Sequence, residues 1–332
     1  MKPTRELRKA MHRSGKLIDR ISRRSSSGSR WALVAGALAV TAAVVAYLAR
    51  KAEREHPPTG RFVEIDGVTL HYTERGEGPP VVLLHGNGAM ASDFEGSGLV
   101  GLLADRHRVI AFDRPGFGYS ERPRSRVWTA RAQAALISRA LSALDVRQPI
   151  VVAHSWGTLV ALNLAREFPD SVSGLVLVSG YYFPTLRADV FLLSPPAIPL
   201  LGDIMRYTIS PVVSRLIARP LMRQMFAPRA ISERFRAAVP LPLMLRPSQL
   251  RAAAEESAFL IPAATQFQTQ YSGIACPVRV FHGAEDKLIE VEQARRLEKA
   301  LARALLHLVE DAGHMVTYAD AEGIAQAVTA LR

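Results

Sequence analysis

With 332 residues, the chain has room for one large α/β domain plus additions to it. Its single cysteine, Cys276, excludes an intrachain disulfide and disfavours a cysteine-based metal site. The net charge of +12 points at first to nucleic acid or membrane, but residues 1–60 hold 13 Lys/Arg against 4 Asp/Glu, a net +9, which leaves only +3 on the other 272 residues and disfavours a nucleic-acid-binding domain.

Residues 1–30 form a basic N-terminal arm, and little stable structure is expected at its serine-rich end, Ser25-Ser26-Ser27-Gly28. Residues 31–49 carry no charge and span about 28 Å as a helix, one hydrocarbon core. Trp31 and Tyr47 lie near the two ends, where interfacial aromatics belong. The segment is predicted to be a transmembrane anchor. Ten Lys/Arg precede it and three follow within ten residues, so the N-terminus is expected to be cytoplasmic and the folded domain extracytoplasmic. A cleaved signal peptide is disfavoured because the Ala-x-Ala sites, Ala35 to Ala37 and Ala37 to Ala39, lie inside the apolar core. Serines follow Arg23-Arg24, a poor match to a twin-arginine signal, and a soluble alanine-rich helix is the remaining rival. Residues 50–60, with Pro57-Pro58-Thr59-Gly60, read as a linker.

The domain opens on two alternating segments, 61–65 and 68–74, joined by Asp66-Gly67, which predicts a hairpin. Val81 to Leu84 is wholly apolar, as in a strand covered on both faces, and runs into His85-Gly86-Asn87-Gly88. A helix is expected from Phe94 to Ala104, a strand at 108–112, a turn through Asp113-Arg114-Pro115-Gly116-Phe117-Gly118-Tyr119-Ser120, and a helix from Thr129 to Leu144. Ile150-Val151-Val152 then leads through Ala153-His154-Ser155-Trp156-Gly157 into a helical pattern. Strand, sharp turn with serine at its apex, and helix describe a nucleophile elbow. The small residues Ala153 and Gly157 fit the crowding on either side of the serine, and a helix N-cap serine is the plain alternative. A strand is predicted at 174–179. From about 181 to 272 the alternation breaks into proline-punctuated helical patterns, markedly apolar with scattered arginines. A strand at 278–281, a helix at 291–302, a strand at 305–309, the loop Glu310 to Met315 and a helix at 319–331 complete the chain.

These ordered motifs resemble the α/β-hydrolase superfamily over roughly residues 61–332. The elbow departs from the usual pattern only in having Ala153 where glycine is usual. The resemblance implies a mostly parallel eight-stranded sheet with helices on both faces. It divides the domain into a hydrolase core at 61–180, an inserted helical cap at 181–272 and a second core part at 273–332. It implies Ser155 as nucleophile, the Gly-His loop histidine His314 as base, and an acid after the seventh strand, where Asp286 fits and Glu285 is the runner-up. No acid follows the sixth strand, where Gly180-Tyr181-Tyr182-Phe183 stand. The backbone N–H groups of Asn87 and Trp156 would form the oxyanion hole. His85 and Asp113 would shape and brace loops, not react. The other histidines lie outside the domain, in or beside strands, or flank motifs as neighbours.

Serine at the elbow argues against the aspartate-based dehalogenases and epoxide hydrolases, which this chain resembles in Asn87 and Trp156. The expected activity is a membrane-anchored serine hydrolase acting on a small apolar ester, through a Ser155-His314-Asp286 triad and an acyl-enzyme, with no metal or organic cofactor implied. Open alternatives are a C–C bond hydrolase, a proline-iminopeptidase-like aminopeptidase or a perhydrolase on the same triad, or a non-catalytic binding protein of this fold. The apolar cap suits either its own core or a substrate tunnel facing a bilayer. The natural substrate and oligomeric state are not legible.

Overall fold

A computed structural model describes residues 5–331, and side chains from residue 30 onward. Helix α1 (Arg5–Glu55) is followed by β1 (Arg61–Ile65), β2 (Val68–Arg75) and β3 (Pro80–Leu84). Next come α2 (Ser92–Ser97), α3 (Leu99–Ala104), β4 (Arg108–Phe112), α4 (Ala130–Ala143), β5 (Ile150–His154), α5 (Gly157–Glu167) and β6 (Gly174–Val178). The inserted segment contributes α6 (Ala188–Leu193), α7 (Leu201–Tyr207), α8 (Ser210–Phe226), α9 (Glu233–Ala238), α10 (Leu241–Met244) and α11 (Pro247–Phe267). The chain closes with β7 (Val278–Gly283), α12 (Glu292–Ala300), β8 (Ala304–Val309), α13 (Val316–Ala319) and α14 (Ala321–Ala330).

The eight strands form one sheet in the order β1-β2-β4-β3-β5-β6-β7-β8. The pairs β1–β2 and β2–β4 are antiparallel, and the remaining pairs are parallel. Helices cover both faces, which is why β5 and β6 are apolar without alternation and buried at every residue. Val82 and Leu84 turn to a core shared with α4, α5 and α12. Val81 and Leu83 turn to the core shared with α2, α3 and α14. The loops at the carboxyl ends of β3, β5 and β7 therefore converge on one edge, below the inserted helices.

The helix predicted at 94–104 divides at Gly98, whose left-handed backbone (φ 85°) caps α2 before α3 begins. The C-terminal helix predicted at 319–331 is α14, capped by Asp320, whose side chain accepts a hydrogen bond from Gly323 N–H, and the short α13 precedes it. The expected loss of structure near Ser25–Gly28 does not occur, since α1 runs unbroken from Arg5 to Glu55. No proline interrupts it before Pro57, and the serines cost only a few tenths of a kcal/mol each in a helix. The same continuity makes residues 50–55 of the expected linker helical.

Within Arg30–Glu55 of α1 lies an 18-residue window apolar enough to cross a membrane by length and composition, with a mean hydropathy of 2.2, and that window is almost wholly unburied. Membrane anchors and signal sequences share that length and composition. Its C-terminal end is held by the protein. Ala52 is buried beside Met90 and Leu243, Arg246 donates to Glu53 at 2.9 Å, and the Tyr119 hydroxyl bonds the His56 carbonyl.

Candidate active site

Ser155 sits on the turn between β5 and α5 with a positive φ of 51°. A non-glycine residue rarely holds this conformation, so the surrounding structure must enforce it. Ser155 N–H donates to the Val178 carbonyl on β6 at 2.8 Å, and Thr158 N–H and hydroxyl close on the Ser155 carbonyl. A Cβ at Gly157 would meet the carbonyl oxygens of Leu84 and His85, so only glycine lets α5 start this close to β3. Ala153 is wholly buried in β5, and its one methyl is accommodated there.

His314 Nε2 lies 3.0 Å from Ser155 Oγ, and His314 Nδ1 lies 2.9 Å from Asp286 Oδ2. The second oxygen, Asp286 Oδ1, accepts the N–H groups of Leu288 and Ile289 at 2.8 and 3.0 Å. This carboxylate is therefore fixed at both oxygens. Burial alone would raise its pKa, but the charge and hydrogen bond of His314, with help from His282, bring it below the usual carboxylate range. Glu285 is exposed at the adjacent position, so of the two acids only Asp286 reaches the histidine.

The supporting histidines are all engaged. His85 is wholly buried, donates from Nδ1 to the Gly86 carbonyl and accepts Arg114 N–H at Nε2. Burial, then the Arg114 charge, push its pKa down to about 3, so it stays neutral. His154 donates from Nε2 to the His314 carbonyl at 3.1 Å, and burial, then His314, lower it to about 3. His282 bonds the Ile289 carbonyl, and burial lowers it as well. Asp113 accepts from Ala91 N–H, Tyr119 N–H and His71, which ties the loop after β4 to the segment that follows β3. Burial opposes its charge, but the bond to His71 prevails and its pKa is lowered.

Sequence reasoning missed how the inserted helix α11 holds this site. Asn87 Nδ2 donates to the Ala253 carbonyl and to Ser257 Oγ, at 3.1 and 3.3 Å. Trp156 Nε1 donates to the Glu256 carbonyl at 3.0 Å. The side chains of Asn87 and Trp156, which flank Ser155 in the loop after β3 and in the elbow, are thus both anchored on one turn of α11. The Glu256 carboxylate, wholly buried, pairs with the equally buried Arg114 and accepts from Gln133. Arg114 in turn donates to the His85 carbonyl at 2.7 Å and lies over the Trp156 ring. A charged pair with no exposure is tolerated only when further hydrogen bonds support it, and here Arg114 Nε, Nη1 and Nη2 and both Glu256 oxygens are engaged. The one signal in sequence was an acid amid the apolar residues of α11. Asp93 also escaped notice. It is buried beside the site, burial raises its pKa to about 6 against the opposing bond from the Tyr318 hydroxyl, and it is the only carboxylate lining the cavity among the described residues.

A cavity of about 280 Å³ lies over Ser155 and His314, near the lower end of small-molecule sites. Gly86, Asn87 and His154 form its floor, and apolar residues of the inserted helices, among them Leu193, Met205, Ile217, Leu221 and Met244, form its walls. No Lys or Arg lines it among the described residues.

The profile of the alpha/beta hydrolase fold family matches residues 79–320. The 2-hydroxymuconate semialdehyde hydrolase of Pseudomonas sp. (strain CF600) is 30% identical over 270 residues, 79% of this chain and 90% of that protein. A thermophilic esterase of Thermogutta terrifontis superposes with a TM-score of 0.68 at 21% identity, over 82% of this chain and 97% of the other. A membrane phospholipase A superposes with a TM-score of 0.63 at 24% identity, over 90% and 94%. At such identities the two structures speak for the fold alone.

Proposed function

The chain belongs to the alpha/beta hydrolase fold family, and from that premise we propose that it is a membrane-anchored serine hydrolase cleaving esters of apolar acids through an acyl-enzyme. The observation that carries the reading is the relay Ser155 Oγ, His314 Nε2, His314 Nδ1, Asp286 Oδ2 opening into an apolar cavity. A serine hydroxyl is too weak a nucleophile at neutral pH without a base. His314 takes the Oγ proton as Ser155 attacks the ester carbonyl, while Asp286 holds the imidazole in the Nδ1–H tautomer and stabilises the imidazolium. The oxyanion falls to the backbone N–H groups of Asn87 and Trp156, at the start of α5. His314 then protonates the leaving alcohol, and water, activated by the same histidine, releases the acid. The basic excess ahead of the apolar stretch supports a cytoplasmic N-terminus with the catalytic domain on the opposite side.

C–C bond hydrolysis is the second reading, favoured by the 30% identity to the 2-hydroxymuconate semialdehyde hydrolase. A muconate is a carboxylate, however, and among the described residues the cavity offers it Asp93 and no Lys or Arg, which favours an uncharged ester. The test is hydrolysis of p-nitrophenyl esters from acetate to palmitate by the full chain in detergent micelles. Turnover that is lost in Ser155→Ala, with an optimum beyond acetate, is expected. A folded protein that cleaves none of the series overturns the ester reading and moves C–C hydrolysis to the front.

A further inference from the structure

We propose that the outer face of α7 and α8 lies in the bilayer surface, so that the cavity draws its acyl substrate sideways from lipid. The proposal rests on reading α1 as an anchor and the site as an ester hydrolase. Its first support is where apolar surface is left uncovered. Eighteen large apolar residues beyond residue 60 are exposed among those described, and thirteen fall between 186 and 217, so this is one region and not scatter. Leu200 is 80% exposed and Leu216 72%. A water-facing domain rarely leaves such a region bare.

The second support is the pattern on α8. Ile209, at its N-cap, with Val212, Val213 and Leu216 recurs at the spacing of one helix face. Arg215, Arg219 and Arg223 form an exposed stripe at four-residue spacing, and the helix contains no acid. None of the three has an acidic partner among the described residues. An apolar face flanked by unpaired arginines suits a surface of anionic phospholipid, where the stems lie against acyl chains and the guanidinium groups meet phosphate.

The third support is the cavity mouth. Leu192, Ile209 and Val213 line the cavity and are still 77%, 57% and 46% exposed, so the cavity opens through this same region. The fourth is continuity. Helix α7 touches both α8 and α1, and α1 carries the bilayer-length apolar stretch. The occupant we commit to is the anionic bilayer itself, and a second copy of the chain is an outcome of the test.

The experiment uses the full chain in vesicles of phosphatidylcholine and phosphatidylglycerol. Single cysteines are placed in a Cys276→Ser background at Leu200, at Leu216, at Val40 in the anchor and at Arg295 on the exposed face of α12. Each carries an environment-sensitive fluorophore, and doxyl-labelled lipid serves as quencher. Positions 200 and 216 are expected to be quenched as the anchor position is, and position 295 to be unaffected. Quenching at 40 without quenching at 200 and 216 overturns the proposal and leaves the anchor standing. No quenching at 40 removes the anchor and the proposal together. Self-quenching at 216 that disappears on dilution into lipid assigns the face to a second copy and also overturns it. As a functional arm, Leu200→Glu with Leu216→Glu is expected to lower hydrolysis of a bilayer-held long-chain ester about tenfold while p-nitrophenyl butyrate turnover persists. Unchanged long-chain hydrolysis contradicts the proposal. Failure of the wild type on butyrate counts against the ester reading instead.

Discussion

In the sheet, β5 and β6 hide every residue, and the turns that leave β5 and β7 hold Ser155 and Asp286 by backbone contacts that leave no freedom. In the inserted helices, α7 and α8 bury few residues and turn Leu200, Ile204, Val212 and Leu216 outward. The two regions meet at α11, which holds Asn87, Trp156 and Arg114 from above. The difference is a division of labour in the proposed mechanism: the sheet holds Ser155, His314 and Asp286, the inserted helices wall the cavity over them, and α11 braces the sheet side.

The largest expected effect tests the sheet's share. Ser155→Ala or His314→Ala should lower kcat for any accepted ester by at least about 10³-fold with the melting temperature little changed. A residual rate above that would place the nucleophile elsewhere. The next tests whether α11 works with the core. Glu256→Ala strands the buried Arg114 and should cost about 3–5 kcal/mol in urea or thermal unfolding, whereas Glu256→Gln, which keeps the hydrogen bonds, should cost less. Equal and small losses would show that the pair is incidental.

A smaller effect carries a pH signature. Asp93 has its pKa raised by burial to about 6, so its contribution to stability is complete below the unfolded value near 3.8 and is lost as pH rises through about 6. Asp93→Asn should therefore stabilise the protein at about pH 8, by about 2–3 kcal/mol, and not at about pH 4. A gain independent of pH would contradict that cause. The buried histidines act in the opposite direction. His85 and His154, held near 3 and neutral, lend stability above about pH 6.5 that falls away as acid protonates the unfolded chain, so the melting temperature should drop below that pH.

The smallest effect sharpens the boundary between the regions. Asn87→Ala leaves the backbone amide in place but removes both bonds to α11, and should lower kcat about tenfold with only a small change in KM. A KM effect alone would move Asn87 to substrate binding.

The alternation of strands and helices was legible because a sheet covered on both faces writes continuous apolar runs such as Val81–Leu84 and Ile150–Val152. Ser155 and His314 were legible because their loops need small neighbours, Gly157 and Gly313, that can be read letter by letter. Residue type alone does not separate Asp286 from Glu285, but the three-residue register after Gly283 picked Asp286, and the loop buries it and exposes Glu285. The grip of α11 was illegible because two of its acceptors, at Ala253 and Glu256, are main-chain carbonyls with no side-chain signature. The break at Gly98 was masked by a helical pattern that resumes after a capped turn. The exposure of α7 and α8 was hidden because an apolar residue reads the same whether it faces a core or a lipid.

The central claim, that Ser155 is a nucleophile activated by His314 and Asp286, is tested most directly by labelling the full chain with a fluorophosphonate and locating the adduct by peptide mass spectrometry. The account predicts a single adduct on Ser155 that forms at neutral pH, slows severely in His314→Ala and is absent in Ser155→Ala. A folded protein that leaves Ser155 unlabelled, or labels it equally well without His314, would contradict it.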